Sequence, residues 1–275
     1  MVCVLRTAIQ KSELGCEPPL VGFTRAGEAF VIPRIKNSML SGCSEDDLRR
    51  WNSKAADWCI DHGLPVSERL HHLVLANRDR EAVWIIGSNR YSLIDSCDKD
   101  LLWTVSTLAM RRDDAEIANI AVRMALDLND LKIAKQLSSR LMGLDAHMGR
   151  TALSEISLKE NRIDEALDMA RDNYGNDIDS GMALGMCLLE SNRIDEASDC
   201  FAKTMESMLK EGCIFRMDEL MLYKARAEMS LHNKERAQYL VSAALSLSKN
   251  ERKRADLAAL CEKLETDSED SVLLQ

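Results

Sequence analysis

From residue 44 onward, apolar residues recur at three- and four-residue spacing, the period of one face of a helix. The best-marked helix covers 44–62. Ser44 with Asp47 makes a capping-box start, and Leu48, Trp51, Ala55 and Trp58 follow at helical spacing. Gly63 stops this helix and Pro65 forbids its continuation. Near the start the period changes. Residues 20–33 alternate apolar and polar around Arg25-Ala26-Gly27 and read as a hairpin.

Two later stretches copy one another. Residues 160–167 read ENRIDEAL and residues 190–197 read ESNRIDEA, so NRIDEA recurs with a shift of 31 residues. Self-similarity at such a period means stacked supersecondary units. Twelve residues before the alanines at 134, 166, 197 and 237 stand Val122, Ser154, Gly185 and Ala225. Short side chains at that place let two helix axes approach closely. Turn signals separate the paired helices: Asn129-Asp130, Asn161-Arg162, Asn192-Arg193 and His232-Asn233. Asn tolerates the left-handed conformation that ends a helix. Ala197 and Ala237 are 40 residues apart, so the third unit departs from the period. The stretch 194–211 reads as a lengthened second helix ended by Gly212.

These units resemble the tetratricopeptide repeat (TPR). The resemblance covers about 115–248 as four units, with 252–264 as a capping helix. It implies an all-α, right-handed superhelix of helical hairpins, a TPR-like solenoid. The usual aromatic of the first helix is missing from most units, and no Pro closes them. Residues 51–86 look like the linker and arm of STAND-class regulators of the maltose-activator type. The residues that carry this are the run Ala55 to Pro65, then His72, Ala76, Asp79 and Glu81-Ala82. It implies the sensor arm of a regulatory system. With a helix before it and residues 34–39 after it, the hairpin makes half a winged helix; the plainer reading is a small cap. The division is therefore 1–43 winged-helix-like remnant or cap, 44–112 helical linker or arm, 113–265 repeats with capping helix, and 266–275 acidic tail.

Composition narrows the chemistry. Apolar residues at 46% exclude a disordered chain, and aromatics at 4% with four Pro argue against a sandwich or barrel. A net charge of −9 repels phosphate backbones and anionic lipid. Residues 1–40, with five Lys/Arg against three Asp/Glu, are the local exception. The nine Cys show no C-x-x-C pair and the five His have no zinc spacing, so reduced thiols in a cytoplasmic protein and no metal are expected. No phosphate-binding G-x-x-x-x-G-K-[ST] occurs, nor any Gly-Lys dipeptide. The carboxylates Asp164-Glu165 and Asp195-Glu196 sit where they favour helix N-termini. The expectation is a non-enzymatic protein without cofactor that binds a protein or peptide partner. The alternative is a transcription regulator binding DNA through residues 1–40.

In solenoids of this type the first helix of each pair lines a concave face. The candidate groove residues are then Asn119 and Arg123; Thr151 and Glu155; Met182, Met186 and Leu189; and Leu222, Arg226 and Met229. Repeat proteins that capture a C-terminal carboxylate use Lys and Asn there, and Thr151 and Glu155 do not match. Met182, Met186 and Met229 read either as an adaptable binding surface or as core.

Overall fold

The computed structural model describes residues 9–10, 21–23, 28–31, 42–175 and 177–272. Among the described residues are three short strands and thirteen α-helices. Strands β1 (Ile9–Gln10) and β2 (Val21–Phe23) both pair antiparallel with β3 (Glu28–Val31), placing Val21 opposite Val31. The helix expected before the hairpin and residues 34–39 lie outside the described residues. The chain divides into two compact units, residues 1–93 with 98–112, and residues 94–97 with 113–275.

The first unit holds α1 (Glu45–Asp61), α2 (Val66–Leu75), most of α3 (Asp79–Asp95) and α4 (Lys99–Arg111). Ser44 caps α1 by accepting the Asp47 backbone N–H at 3.1 Å. Helix α2 packs on both α1 and α4. Ala55, Ala56, Leu70, Leu73 and Val74 form its core. His72 is fully buried there, its ring nitrogens 2.8 Å from Asn52 Oδ1 and 3.2 Å from Glu68 Oε1. That is a satisfied core histidine.

The second unit is a run of four helical hairpins and one more helix. The pairs are α5 (Ala115–Asp127) with α6 (Leu131–Leu144), α7 (Ala146–Lys159) with α8 (Ile163–Asp172), α9 (Ile178–Glu190) with α10 (Ile194–Lys210), and α11 (Met217–Ser230) with α12 (Lys234–Leu247). Helix α13 (Glu251–Val272) follows. Each helix packs on the next. The first helices also pack on one another in the order α5, α7, α9, α11, α13, whereas the second helices make at most slight contact with each other. Closer packing on one side curves the stack toward that side, so the first helices form the inner layer.

One turn recurs in all four hairpins. Asn129, Asn161, Asn192 and His232 have φ between 57° and 61°. The residue after each donates its N–H to a carbonyl five residues back: Asp130 to Ala125, Arg162 to Ser157, Arg193 to Leu188 and Asn233 to Glu228, at 2.8–2.9 Å. This is the Schellman arrangement, which satisfies carbonyls that the helix end would leave bare. The NRIDEA copies are thus one device. Asn makes the left-handed turn, Arg193 clamps Glu196 at 2.6–2.7 Å as Arg162 clamps Glu165, and Ala166 and Ala197 are fully buried between helices. The first unit carries a third copy. Asn77 has φ 58°, Arg78 donates its backbone N–H to Leu73, its side chain bonds Glu81, and Ala82 is buried. An L-residue with a Cβ pays about 1–2 kcal/mol in the left-handed region, and Asn less than most. Asn192→Ala is therefore expected to lower stability by about 1 kcal/mol and Asn192→Gly to leave it unchanged or raise it, read from urea unfolding.

The long third unit is as its sequence indicates. Helix α10 runs 17 residues and Gly212, φ 66°, ends it. Gly185 on α9 faces the ring of fully buried Phe201 on α10, and a Cβ at 185 would overlap that ring.

Candidate functional site: a charged pocket on the inner layer

The inner layer carries a chain of ion pairs that crosses four consecutive first helices. On α5, Arg123 Nη1 donates to both carboxylate oxygens of Glu155, on α7, at 2.5 Å, and Nη2 stands 3.3 Å from Asp179 on α9. Arg216, at the start of α11, donates through Nη1 to Asp179 at 2.6 Å. Its Nε and Nη2 donate to the two oxygens of Glu219 at 2.9 and 3.0 Å, a bidentate pair. Lys253 on α13 extends the chain, its Nζ 3.7 Å from Asp95 and 3.9 Å from Glu219. Arg216 is held in the left-handed region, φ 62°, at the N-cap of α11, where its side chain makes no hydrogen bond to the helix's first backbone N–H groups. Such a conformation costs of order 1–3 kcal/mol and persists where surrounding contacts over-determine it.

The charges perturb one another. Burial pushes the Asp179 carboxyl up, but Arg123 and Arg216 outweigh it and hold it at about 2. Glu219 is likewise held below its ordinary value by Arg216, against the effect of burial. Asp127 goes the other way. Burial first, then the neighbouring Glu219, push it up to about 6. Asp127 still touches solvent, since it lies in the curve of the inner layer rather than in a core.

A pH dependence follows from Asp179. Its folded-state value lies below its ordinary 3.8, so the folded state binds the proton more weakly than the unfolded chain. The stabilisation is complete above about pH 4 and is lost as pH falls toward 2. Urea midpoints measured down that range are expected to fall, and to fall less in Asp179→Asn.

Between the charges lies a pocket of about 80 Å³. Leu126, Leu158, Met186 and Tyr223 supply its apolar wall; Arg123, Glu155, Arg216, Glu219, Asp127 and Lys253 supply charge, and the exposed Lys159 stands at the rim. Of the ten residues that the sequence singles out, Arg123, Glu155 and Met186 meet here. Asn119 stands near Asp179 and helps to hold its carboxyl down. Thr151 is buried and accepts from Asn173 Nδ2 at 2.8 Å, tying α7 to the end of α8. Met182, 0% exposed, and Leu222, 5% exposed, lie in the cores of their hairpins and present no face to a groove. Leu189 and Met229 are half-buried against those cores. Arg226 is exposed, 5.4 Å over the Tyr223 ring.

Asp127, Asp179, Arg216, Glu219 and Lys253 were not among the ten. Asp179 and Glu219 each stand six residues before the small residue of their helix, Gly185 and Ala225, so the repeat register marks them as equivalent. Asp127 is one helical turn after Arg123. Arg216 carries no such mark, because its place depends on a left-handed turn in the irregular third-to-fourth connection.

Other reactive groups have plainer roles. Burial pushes the thiols of Cys59 and Cys200 up to about 11 and that of Cys187 to about 12, away from the thiolate form that reacts. Asp177 bonds His147 Nε2 at 2.7 Å and accepts from Ser180 Oγ at 2.6 Å. The serine hydroxyl thus donates to the carboxylate and not to imidazole, unlike a nucleophilic triad, and Asp177 caps α9 through the Ser180 N–H at 2.9 Å. Among the described residues no group of three or more His, Cys, Asp or Glu is placed to hold a metal, and no helix is long and apolar enough to cross a membrane.

No family model and no curated protein matches this sequence. Solved structures similar at low identity include the following two. One is a thermophilic TPR protein from Thermus thermophilus, 16% identical, covering 67% of this chain and 97% of that one, with a TM-score of 0.49. The other is yeast Tom70, 12% identical, covering 93% of this chain and 60% of that one, with a TM-score of 0.47.

Proposed function

We propose that the second unit is a non-catalytic scaffold that holds a segment of a partner protein against its inner layer, with the charged pocket as the anchor. The observation that carries this is the ion-pair chain itself. Buried ion pairs add little net stability compared with apolar packing. A network drawn from four consecutive first helices, together with a strained Arg216, is therefore poorly accounted for by stability alone. It faces the side of the stack where an extended segment meets several helices at once. The resemblance of residues 51–86 to a STAND-class arm supports a regulatory setting in the cytoplasm, in which this chain senses by contact. In this reading residues 44–112 serve as a linker or arm and residues 113–265 as the binding stack.

Two readings compete. Leu209 and Tyr239, on second helices, are 66% and 73% exposed and favour a partner on the outer side. The local excess of Lys/Arg in residues 1–40 favours DNA. Peptides selected on the intact chain from a displayed library separate these readings. Loss of binding in Lys159→Glu/Arg226→Glu, both exposed and so neutral for folding, supports the inner layer; loss in Leu209→Ser/Tyr239→Ser contradicts it. A salt-sensitive gel shift with duplex DNA would support the third reading.

A further inference from the structure

We propose that the exposed face of α3, in the first unit, is a second docking surface and takes an acidic amphipathic helix of a partner protein. It is independent of the inner layer of the second unit.

Arg80, Trp84, Gly87, Ser88 and Tyr91 fall at i, i+4, i+7, i+8 and i+11, which makes them one stripe of the helix. All five are exposed, and Trp84 is 67% exposed. Tryptophan is among the side chains that gain most from leaving water, and it anchors interfaces for that reason.

Gly87 says what shape the occupant has. At 149, 181 and 185, glycines inside other helices, a Cβ would come within 2.7 Å of Met142 and within 2.4 Å of Thr204 and Phe201. There the missing side chain admits a neighbouring helix. At Gly87, in the middle of α3, a Cβ would meet nothing within 4 Å. Gly143 is open as well, but it lies in the last turn of α6. Glycine in a helix interior is unfavourable, and no close approach within the chain offsets it at 87. The use that glycine has elsewhere in this chain is the one 87 offers to another molecule: a close crossing by a helix. A helix laid across Gly87 and Ser88 covers Trp84 on one side and Tyr91 on the other.

The charges say which helix. The three carboxylates of α3 are all engaged: Asp79 by Arg111 at 2.8 Å, Glu81 by Arg78 at 2.6 Å and Asp95 by Lys253 at 3.7 Å. Arg80 and Arg90 are exposed, and among the described residues neither is in an ion pair. The Arg90 guanidinium lies 4.5 Å over the Tyr91 ring, at the flank of the stripe. The face is thus cationic and aromatic in a chain of net charge −9. A second copy would bring its own two arginines against these, and like charges oppose that contact. Carboxylates on either side of an apolar seam complement them.

The probe is a displayed library of helical hairpins with one outward helix face randomised, selected on the full chain and kept where binding is lost in Trp84→Ser. The recovered faces are expected to be rich in Asp and Glu around a small or apolar seam. Gly87→Leu is expected to weaken them about tenfold or more. The same variant is expected to hold or raise the melting temperature, since the added side chain meets open space and a helix-interior glycine is removed. Arg80→Glu/Arg90→Glu is expected to weaken the recovered binders by a similar factor and to favour versions of them with Lys in place of Glu. Binders that are neutral or basic, or that ignore Gly87→Leu, would overturn the proposal, as would recovery of none. A dimer in sedimentation that Gly87→Leu dissolves would overturn it in favour of a second copy. Binding of labelled oligodeoxythymidine that Trp84→Ser and Arg80→Glu/Arg90→Glu abolish would overturn it in favour of a nucleic acid.

Discussion

Replacing Arg123 by methionine is expected to lower the unfolding free energy of the chain by about 3–5 kcal/mol, the usual result of removing one partner of a buried ion pair. The guanidinium is the partner of Glu155, whose side chain is 6% exposed, and it also faces Asp179. Without it the Glu155 carboxylate is left without its partner in a poorly solvated place. Asp179 keeps Arg216 and so suffers less. The double variant Arg123→Met/Glu155→Met removes both charges and keeps side-chain length, and is expected to recover most of the loss. Urea unfolding of the three variants at neutral pH reads this out. A loss well under about 1 kcal/mol in the single variant would mean that water already solvates the pair.

Met182→Glu is expected to unfold the second unit or to cost it at least about 4 kcal/mol, since a fully buried side chain has no route to water and gains no cation in exchange. Met186→Glu, one turn along α9, is the contrast. Met186 is 5% exposed but lines the charged pocket, within reach of its cations. It is expected to fold, with a smaller loss, and to abolish partner binding. Circular dichroism melts of both variants give the first half and peptide titration the second. Both belong to one buried cluster, so equal losses in the two variants would mean that the pocket gives a charge at 186 no relief.

The parts of the fold that were legible in the sequence are those set by local chemistry. Asn at the left-handed position, Arg–Glu clamps and fully buried Ala make NRIDEA a complete turn device, so an exact copy of the string is a copy of the structure. The third copy, at 77–82, escapes because its middle residues differ, Asp79-Arg80 in place of Ile-Asp, although the N-R-x-x-E-A frame is intact. The close approach at Gly185 was legible as a small residue, but its partner Phe201 could be named only as the residue four places after Ala197.

The site was legible in part. Register alone brings Arg123, Glu155 and Met186 to one layer, because they follow the small residues Val122, Ser154 and Gly185 directly. It does not say which side of that layer is covered. Met182 and Leu222 share a register with Asn119 and Thr151, three places earlier, and fall on the seam between helices rather than on the open face. Asp95 and Lys253 lie outside the repeat altogether, at the end of α3 and the start of α13, and only the folded stack brings Lys253 beside both Asp95 and Glu219.

Positional cross-linking tests the central claim most directly. A benzophenone side chain is placed at 159 or 226 on the inner layer, and at 209 or 239 on the second helices, and each chain is irradiated in extract of its own host. The account predicts the same covalent partner from 159 and 226, none from 209 and 239, and its loss when Glu219→Gln/Asp127→Asn is added. A partner captured from 209 or 239 and absent from 159 and 226 would contradict it.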